Sequence, residues 1–352
     1  MRKNGIEKLK KARYRALPQD PSNIDYMMHL PVQYQHVIEA LPRVHRVLRP
    51  TLLRSWPLLN KLLGFEFYLK HENHLPVGAF KVRGGINLVG QLTEKERSNG
   101  LVAVSTGNHG QSLAYASALE GVKLTIVVPE GNNPGKNEAM RILGATLIER
   151  GKDYDGAKTY AEEVVVQEGG ARYVHSANEP ALIAGVATYT YEIFQDLPDP
   201  DAILVPIGLG SGVCGTAIVA KHLRPETQVI GVQAEGAPSV VETWRTKDWT
   251  TADSVNTFAE GIATRVPAEM TMQIMNELMD DALLVSDDDM REAVGHILQT
   301  THNLAEGSGA ASLAAAIKLR DRFVGRKVVG ILSGGNLDLK ELPRIMQMMN
   351  DK

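Results

Sequence analysis

The chain has 352 residues, of which 43% are hydrophobic and 22% are charged, a composition typical of a soluble globular protein. Its formal net charge of −3 gives no electrostatic argument for a nucleic-acid or membrane-surface partner. No stretch approaches the roughly 20 apolar residues that span a bilayer, and no signal-peptide segment follows the basic N-terminus, so a cytoplasmic protein is expected. The N-terminal charges are expected on the solvated face of a short helix: Arg2, Lys3, Lys8, Lys10 and Lys11.

The single cysteine, Cys214, excludes an intramolecular disulfide and suits a reducing compartment. It lies in an apolar run at residues 213–218, where a small buried side chain is the natural occupant. We therefore predict a structural side chain at this position rather than a reactive thiol.

Short β-branched runs alternate with longer segments of helical period from about residue 100 onward, which predicts βα units around a parallel sheet. Strands are expected at residues 101–104, 123–128, 172–175, 203–205, 229–232 and 327–332. Helices are expected at residues 86–91, 111–119, 137–143, 157–167 and 181–197, and from a cap at Ser286 to about residue 301. Gly121 and Gly144 are natural closing residues for two of these helices. Ligands of open parallel sheets bind beyond the carboxyl ends of the strands, where helices begin.

The first candidate segment, residues 71–85, places a lysine between a turn that contains Pro and Gly and a segment of helical character. Lys81 follows the apolar Phe80, and a lysine among apolar neighbours loses its proton more easily. Schiff-base formation with an aldehyde requires such a neutral amine. Taken alone, the segment fits an ordinary surface lysine as well.

Two further segments, residues 104–111 and 206–215, each join a predicted strand to a predicted helix. The first is rich in hydroxyl and amide groups that suit a carboxylate, although a simple helix cap uses the same residue types. The second has glycines that let backbone amides turn toward a phosphate at a positive helix end. Residues 210–215 also fit a G-x-G-x-x-G dinucleotide pattern, with Glu235 about twenty positions later, so a nicotinamide oxidoreductase is an alternative.

A fourth segment, residues 328–336, runs from a strand into Ser333, two glycines and an asparagine, and by itself it fits a plain turn. The four segments together, in this order, resemble the tryptophan-synthase-β (fold-type II) family of pyridoxal 5′-phosphate (PLP) enzymes. The serine/threonine dehydratase and serine racemase branch is the most similar, and the resemblance covers roughly residues 40–340. One ligand then uses all four segments, whereas a nicotinamide site leaves Lys81 and Ser333 without a role.

The resemblance implies an α/β fold with open, mostly parallel twisted sheets, helices on both faces, and PLP in the cleft between two domains. The expected large domain is discontinuous and comprises residues 1–95 and 180–352, and the small domain comprises residues 96–179. A homodimer and a small amino-acid substrate are further expectations from the family.

The site residues of the family carry over by motif. Lys81 matches the Schiff-base lysine, and Thr106 stands where racemases of this branch place an acid/base serine. The cofactor-binding positions are Phe80 beside the ring, Asn108 at the ring hydroxyl, Gly208, Leu209, Gly210, Ser211 and Gly212 around the phosphate, the acidic Glu306, and Ser333 at the pyridine nitrogen. The positions expected to grip the substrate carboxylate are Ser105, Thr106, Gly107, Asn108 and His109.

The neutral hydroxyl of Ser333 cannot keep the pyridine nitrogen protonated as a carboxylate would, so the resemblance implies elimination rather than transamination. Lys81 is expected to take the Cα proton as general base; the β-hydroxyl then leaves as water, and hydrolysis yields a 2-oxo acid and ammonia. The expected activity is that of an ammonia-lyase acting on threonine, serine or 3-hydroxyaspartate. An amino-acid racemase, a β-replacement enzyme of the cysteine-synthase type and a non-catalytic PLP-binding protein are alternatives.

Two departures from the family pattern concern the site itself. Thr106 keeps a hydroxyl but adds a methyl group to the racemase serine, and Leu209 replaces a glycine that the branch usually has. A diacid substrate would need a cation near its second carboxylate, and the candidates are Lys136, Arg141, Arg265 and His109.

Two other departures concern metal binding and regulation. Some members bind a divalent cation near the segment that contains Glu235, but the matching positions here are Gln233, Ala237 and Ser239. A cation, divalent or monovalent, is therefore not supported, although Glu235 leaves metal dependence open. The regulatory domain of biosynthetic threonine dehydratases does not follow Ser333, so a catabolic type of enzyme is expected.

Overall fold

The structure, a computed structural model, describes residue 27, residues 29–166 and residues 170–351. The basic residues of the N-terminus lie outside these ranges. The described strands are β1 (Leu53–Ser55), β2 (Glu66–His71), β3 (Leu101–Val104), β4 (Leu124–Val128), β5 (Thr146–Glu149), β6 (Arg172–Tyr173), β7 (Ala202–Pro206), β8 (Gln228–Ala234), β9 (Asp281–Val285) and β10 (Lys327–Leu332).

The α-helices of the same residues frame these strands. They are α1 (Tyr34–Val47), α2 (Pro57–Leu63), α3 (Val82–Val89), α4 (Glu94–Asn99), α5 (Asn108–Glu120), α6 (Pro134–Ile142), α7 (Tyr154–Tyr160), α8 (Pro180–Asp196), α9 (Ser211–Leu223), α10 (Ser239–Thr246), α11 (Glu269–Leu278), α12 (Asp287–Thr301), α13 (Gly307–Lys318) and α14 (Leu342–Asn350). Within the described ranges, no helix is long and apolar enough to cross a membrane.

The larger sheet has six strands in the order β1-β2-β10-β7-β8-β9. All neighbours are parallel except β1, which runs antiparallel to β2 at one edge. Because the central strands are parallel, β2, β7 and β10 end at the same edge of the sheet, with Leu332 opposite His71. The segments that follow β7 and β10 therefore leave the sheet side by side.

The smaller sheet has four parallel strands in the order β5-β4-β3-β6. Strand β3 lies inside this sheet, with Val104 opposite Val127 at its carboxyl end. The polar segment at residues 105–107 leaves β3 at this point and leads into α5. Both sheets thus present a candidate segment at a carboxyl edge, as the rule for open parallel sheets requires.

The central strands of the larger sheet are buried on both faces. In β7, Ile203 and Val205 pack in one apolar cluster with α8 and α9, whereas Ala202 and Leu204 pack in a second cluster with α13. This alternation follows from the two-residue period of a strand. It confirms the predicted α/β class with mostly parallel sheets and helices on both faces.

A buried ion cluster joins α3 to α8 and β2. Arg83 forms a bidentate pair with Glu72, with distances of 2.6 and 2.8 Å, and another with Glu192, at 2.6 and 2.9 Å. Lys70 adds a bond of 2.6 Å to Glu192. Burial disfavours the charge of Glu192, but Arg83 and Lys70 hold the pKa of this carboxyl well below its ordinary value. Paired charges of this kind are costly to disrupt one at a time.

Most predicted elements are confirmed, with small changes at their ends. The strand at residues 327–332 has the predicted bounds, and Ser286 caps α12 through a reciprocal capping box with Asp289. Gly121 and Gly144 follow their helices with φ of 67° and 91°. Cys214 is buried, as predicted, and its thiol donates to the carbonyl of Thr271.

Other expectations need correction. The helix predicted at 157–167 is α7 followed by a π-helical segment, Ala161–Val166, and residue 167 lies outside the described ranges. The strand predicted at 172–175 is limited to Arg172–Tyr173. Strands β1, β2, β5 and β9 were not predicted. In β2 the buried Lys70 and His71 interrupt the apolar pattern, and β9 begins with the partly exposed Asp281. The charge of Lys70 is compensated by its bond to Glu192, a tertiary contact that sequence patterns do not record.

Candidate active site

Lys81 caps the N-terminus of α3, and its surroundings contain no counter-charge. Its Nζ donates a hydrogen bond of 2.8 Å to Oγ of Ser211, the first residue of α9. No carboxylate in the described part of the chain lies within ion-pair distance of this ammonium group. Burial accordingly lowers the pKa of Lys81 to about 8. A neutral amine is therefore available near physiological pH.

The lysine segment is fastened to the end of β10. The backbone N–H of Phe80 donates to the carbonyl of Ser333 at 3.0 Å, and Ala79 forms an isolated antiparallel bridge with Gly334. The ring of Phe80 lies with its centroid 5.3 Å from Nζ of Lys81. These contacts place the predicted Schiff-base lysine and the predicted pyridine partner in one site.

The glycine-rich segment between β7 and α9 is shaped by close backbone approach. Gly210 has φ of 101°, and a Cβ atom at this position would lie 3.0 Å from Cβ of Thr271. A Cβ atom on Gly208 would lie 2.6 Å from the carbonyl oxygen of Gly261. The hydroxyl of Thr271 donates to the carbonyl of Leu209 at 2.5 Å. The first N–H groups of α9 lack partners within the helix, so the segment is suited to an anion.

Asn108 and Glu306 meet across the site from the two sheets. Nδ2 of Asn108 donates to Oε1 of Glu306 at 2.8 Å, and its Oδ1 accepts from Nδ2 of Asn336 at 2.8 Å. The hydroxyl of Ser308 donates to the same Glu306 oxygen at 2.7 Å. Burial raises the pKa of Glu306, while Ser308 and Asn108 oppose that shift. The predicted ring-hydroxyl partner is therefore held in one orientation.

Ser333 is buried, and its hydroxyl donates to the carbonyl of Ser308 at 3.3 Å. The site thus offers a neutral hydroxyl at the end of β10. The structure brings Phe80, Lys81, Asn108, Glu306, Ser333 and the segment at residues 208–212 into one region.

In the Ser-Thr-Gly-Asn-His segment, residues 105–109, the side chain of Ser105 forms hydrogen bonds within the segment and to the start of α5. Oγ of Ser105 accepts from the backbone N–H of Gly107 at 3.2 Å and of Gly110 at 2.8 Å, which is the capping arrangement that the sequence also allowed. The carbonyl of Thr106 accepts from Nδ2 of Asn132 at 3.3 Å. Thr106 and Gly107 themselves are half-buried. The fold of this segment is therefore fixed from within by Ser105.

His109 presents a buried nitrogen without a partner. Its Nε2 makes no hydrogen bond, and burial together with the charge of Lys81 lowers the pKa of the imidazole to about 3, against an opposing bond to the Val174 backbone. The ring is therefore neutral near pH 7. Buried polar atoms are normally satisfied, so the unpartnered Nε2 of His109 is an exception within this segment.

The four side chains predicted as candidate partners for the second carboxylate of a diacid differ in charge and in ion pairing. Lys136 pairs with Glu260, and Arg265 pairs with Asp155 at 3.0 Å. Arg141 is 45% exposed and pairs with Glu149 at 3.1 Å. His109 carries no charge. Lys136 lies against the segment at residues 105–109, because its Cδ would be 3.5 Å from a Cβ atom on Gly107.

Gln233 and Glu235, which stand where some relatives bind a metal ion, form contacts with other protein groups. Oε1 of the buried Gln233 accepts from the backbone N–H of Val241 at 3.0 Å. Glu235 pairs with Lys318 at 3.5 Å. Among the described residues, no group of three or more His, Cys, Asp or Glu side chains is arranged to hold a metal ion.

Several site residues were not predicted from the sequence. Asn336 stood in a recognised motif but was given no role. No local pattern singled out Ser308, Thr271 or Glu260, because their partners lie at Glu306, Leu209 and Lys136. Hydroxyl and carboxyl groups of this kind become informative only when the fold shows what they contact.

The sequence matches the model of the pyridoxal-phosphate dependent enzyme family over residues 44–334. The chain belongs to this family. It is 35% identical over 316 residues to an L-threonine ammonia-lyase of Thermotoga maritima, an alignment that covers 90% of this chain and 78% of the relative.

Solved structures agree with this assignment. The processed form of threonine deaminase isoform 2 from Solanum lycopersicum matches with a TM-score of 0.86 and 28% identity, over 97% of this chain and 95% of that one. Maize serine racemase matches with a TM-score of 0.84 and 27% identity, over 91% of this chain and 98% of that one. The nicotinamide alternative is wrong, since family membership assigns PLP as the cofactor.

The residues present fit this cofactor chemically. An aldehyde needs a neutral primary amine, which Lys81 supplies. A phosphate needs a glycine-lined anion site at a helix start, and side chains larger than hydrogen would collide at Gly208 and Gly210. A polar ring needs hydrogen-bonding partners, and Asn108 and Ser333 lie in the same site.

Proposed function

We propose that this protein is an ammonia-lyase that removes water from a small β-hydroxy amino acid, threonine or serine, and yields a 2-oxo acid and ammonia. The single observation that carries this proposal is the half-buried Lys81, whose Nζ bonds to the neutral Ser211 and whose pKa is lowered to about 8. Curated relatives at this level of identity are named for the same reaction on threonine.

In this proposal, cofactor recognition is divided among three groups of residues. Gly208, Leu209, Gly210, Ser211 and Gly212 hold the phosphate, Phe80 lines the ring, and Asn108, Glu306 and Ser333 contact its polar edge. Bound PLP withdraws electrons from the α-carbon of an amino acid and thereby acidifies its α-hydrogen. The residues of the chain then decide which bond is broken next.

The proposed proton transfer uses Lys81. Its neutral amine takes the α-proton of the substrate and can return that proton to the β-hydroxyl, which leaves as water. The enamine that remains takes up one water molecule and releases ammonia, which gives the 2-oxo acid. Ser211 holds Nζ by a hydrogen bond and so limits the positions that the amine samples. Ser333 offers a neutral hydroxyl, which would not keep the pyridine nitrogen of bound PLP protonated as a carboxylate would; the cofactor would then be a weaker electron sink, which favours prompt loss of the leaving group.

The substrate is proposed to bind at the segment that joins β3 to α5. Its carboxylate meets Thr106, Gly107, Asn108 and His109, while Ser105 shapes the turn through its own bonds to Gly107 and Gly110. The unpartnered Nε2 of the neutral His109 supports a polar ligand there.

Racemisation is a second candidate function, and the hydroxyl of Thr106 favours it. This residue is half-buried in the substrate segment, where an acid/base hydroxyl would face the side of Cα opposite Lys81. The similarity to maize serine racemase in fold supports the comparison. The added methyl group of threonine restricts the hydroxyl, so elimination is the main proposal.

The proposal extends to three properties of the whole molecule. The large domain comprises residues 1–95 and 180–352, and the small domain comprises residues 96–179, with the cofactor between them. The enzyme is a homodimer and works in the cytoplasm. Each sheet belongs to one of these domains, which supports the division.

The test is to reconstitute the purified protein with PLP and incubate it with serine, threonine and the stereoisomers of 3-hydroxyaspartate. Formation of 2-oxo acid and ammonia, together with the chirality of the remaining substrate, distinguishes elimination from racemisation. Borohydride reduction followed by peptide mass mapping should find the cofactor on Lys81. Racemisation of every substrate without 2-oxo acid would show that the lyase proposal is wrong.

A further inference from the structure

An ion pair between Lys136 and Glu260 crosses the substrate side of the site. Lys136 lies in the first turn of α6, and Glu260 begins a short 3-10 turn, Glu260–Ile262. Nζ of Lys136 donates to Oε2 of Glu260, which lies 124 residues later in the chain. The lysine side chain is 17% exposed, whereas the glutamate is 50% exposed. The lysine is therefore the inner partner of the pair.

Each partner is linked to a different part of the site: Lys136 through its own side chain, and Glu260 through the next residue, Gly261. The stem of Lys136 covers Gly107, where a Cβ atom would lie 3.5 Å from its Cδ. Gly261, beside Glu260, is packed between Gly208 and Ser308, since a Cβ on Gly208 would lie 2.6 Å from its carbonyl oxygen and its own Cβ would lie 2.5 Å from Oγ of Ser308. The pair therefore spans the space between the substrate segment and the glycine-rich segment.

Both charges act on the buried carboxyl group of Glu306 inside the site. Burial raises the pKa of Glu306; Lys136 acts against that shift, whereas Glu260 adds to it. Glu306 itself bonds to Asn108, which stands next to Gly107 in the substrate segment. A second carboxylate on a substrate would therefore meet a lysine whose charge is already balanced, with a carboxylate beside it.

We propose, on the basis of the function proposed above, that Glu260 determines substrate specificity by neutralising Lys136, so that the site selects amino acids with one carboxylate over diacids. Arg265 does not supply the missing cation, because it is paired with Asp155. Removing the charge of Glu260 leaves Lys136 as a free cation at the substrate segment. The preference between substrates with one and with two carboxylates then changes because the charge of Lys136 is unpaired, while the shape of the site stays the same.

The experiment uses the PLP-loaded enzyme and the variants Glu260→Gln, Glu260→Ala and Glu260→Gln with Lys136→Met. The control is Glu226→Gln, which removes the charge from a surface pair with Arg224 at 3.1 Å. Two quantities are measured. The first is the dissociation constant of succinate by calorimetry, and the second is the specificity constant, kcat/KM, with the diacid 3-hydroxyaspartate divided by the same constant with threonine. Thermal unfolding of each variant shows that it is folded.

We expect both single Glu260 variants to bind succinate about tenfold more tightly than the wild type, and the ratio of their specificity constants to rise by a similar factor. The double variant should lose this gain, and the control should behave as the wild type. Unchanged succinate affinity in folded Glu260 variants, or a gain that persists without Lys136, would overturn the proposal. Failure of the proposed function is separate, because it appears as absence of 2-oxo acid formation by the wild type, while succinate binding needs no turnover.

Discussion

Two cations lie two residues apart at the start of α3, and their surroundings differ in the number of carboxylates that face them. Arg83 makes four hydrogen bonds to Glu72 and Glu192, all within 2.9 Å. The Nζ of Lys81 makes one hydrogen bond, to the hydroxyl of Ser211. The same short helix therefore carries a fully compensated charge and an uncompensated amine.

This difference supports a structural role for Arg83 and the proposed reactive role of Lys81. A buried cation with matched carboxylates keeps its proton, and the Glu192 and Glu72 charges raise the pKa of Arg83 above its ordinary value despite burial. A buried amine without counter-charge loses its proton more readily, as Lys81 does. The cluster around Arg83 also anchors the helix whose first residue follows Lys81.

The largest effect is expected from Lys81→Ala. Loss of the general base should lower kcat by about 10⁴-fold, which corresponds to about 5.5 kcal/mol. The variant should remain folded, because no ion pair is broken. Activity assays and thermal unfolding measure the two effects, with Lys95→Ala, an exposed position, as the control. A variant that keeps a tenth of the wild-type rate would remove Lys81 from its proposed role.

Arg83→Met should act on stability instead. It leaves Glu72 and Glu192 buried without their main counter-charge, and breaking such a pair costs about 3–5 kcal/mol. Urea denaturation gives this free energy of unfolding. Arg320→Met, at an exposed pair with Asp321 of 3.9 Å, should change it by less than about 0.5 kcal/mol. Equal effects of both substitutions would contradict the structural role of the cluster.

Gly210→Ala is expected to weaken cofactor binding by about tenfold, since strain of roughly 1–2 kcal/mol arises at φ of 101° and from the 3.0 Å contact with Thr271. Titration of the cofactor-free protein with PLP measures the dissociation constant. Gly131→Ala is the matched control, because it also has positive φ, 79°, but its Cβ meets nothing within 4 Å. If both variants bind PLP equally well, the contact at Gly210 does not shape the phosphate site.

The smallest change concerns the pH at which Lys81 reacts. Since burial lowers its pKa to about 8, half of the amine is neutral near that pH, and the neutral fraction levels off roughly one to two pH units higher. The rate at which the cofactor-free protein takes up PLP should follow this curve. Ser211→Ala should move the midpoint by less than about one unit, as a single hydrogen bond is lost. A midpoint near the ordinary lysine value would show that the amine is not desolvated.

Much of the site was predictable because of a rule about parallel sheets. The glycine-rich segment follows β7, Ser333 follows β10 and the Ser-Thr-Gly-Asn-His segment follows β3, so polar residues after apolar runs pointed to carboxyl edges. The order of the segments indicated the family. Strand β2 escaped prediction because its buried Lys70 and His71 have no apolar pattern.

The sequence by itself indicated which segments form the candidate site, because glycine, hydroxyl and lysine motifs have local physical meanings at strand ends. The tertiary structure decided the charge states and pairings, since these depend on residues distant in sequence. Lys81 is easily deprotonated because the fold buries it beside Ser211, 130 residues away, and offers no carboxylate. Lys136 meets Glu260 only because α6 and the turn at residues 260–262 face each other across the site.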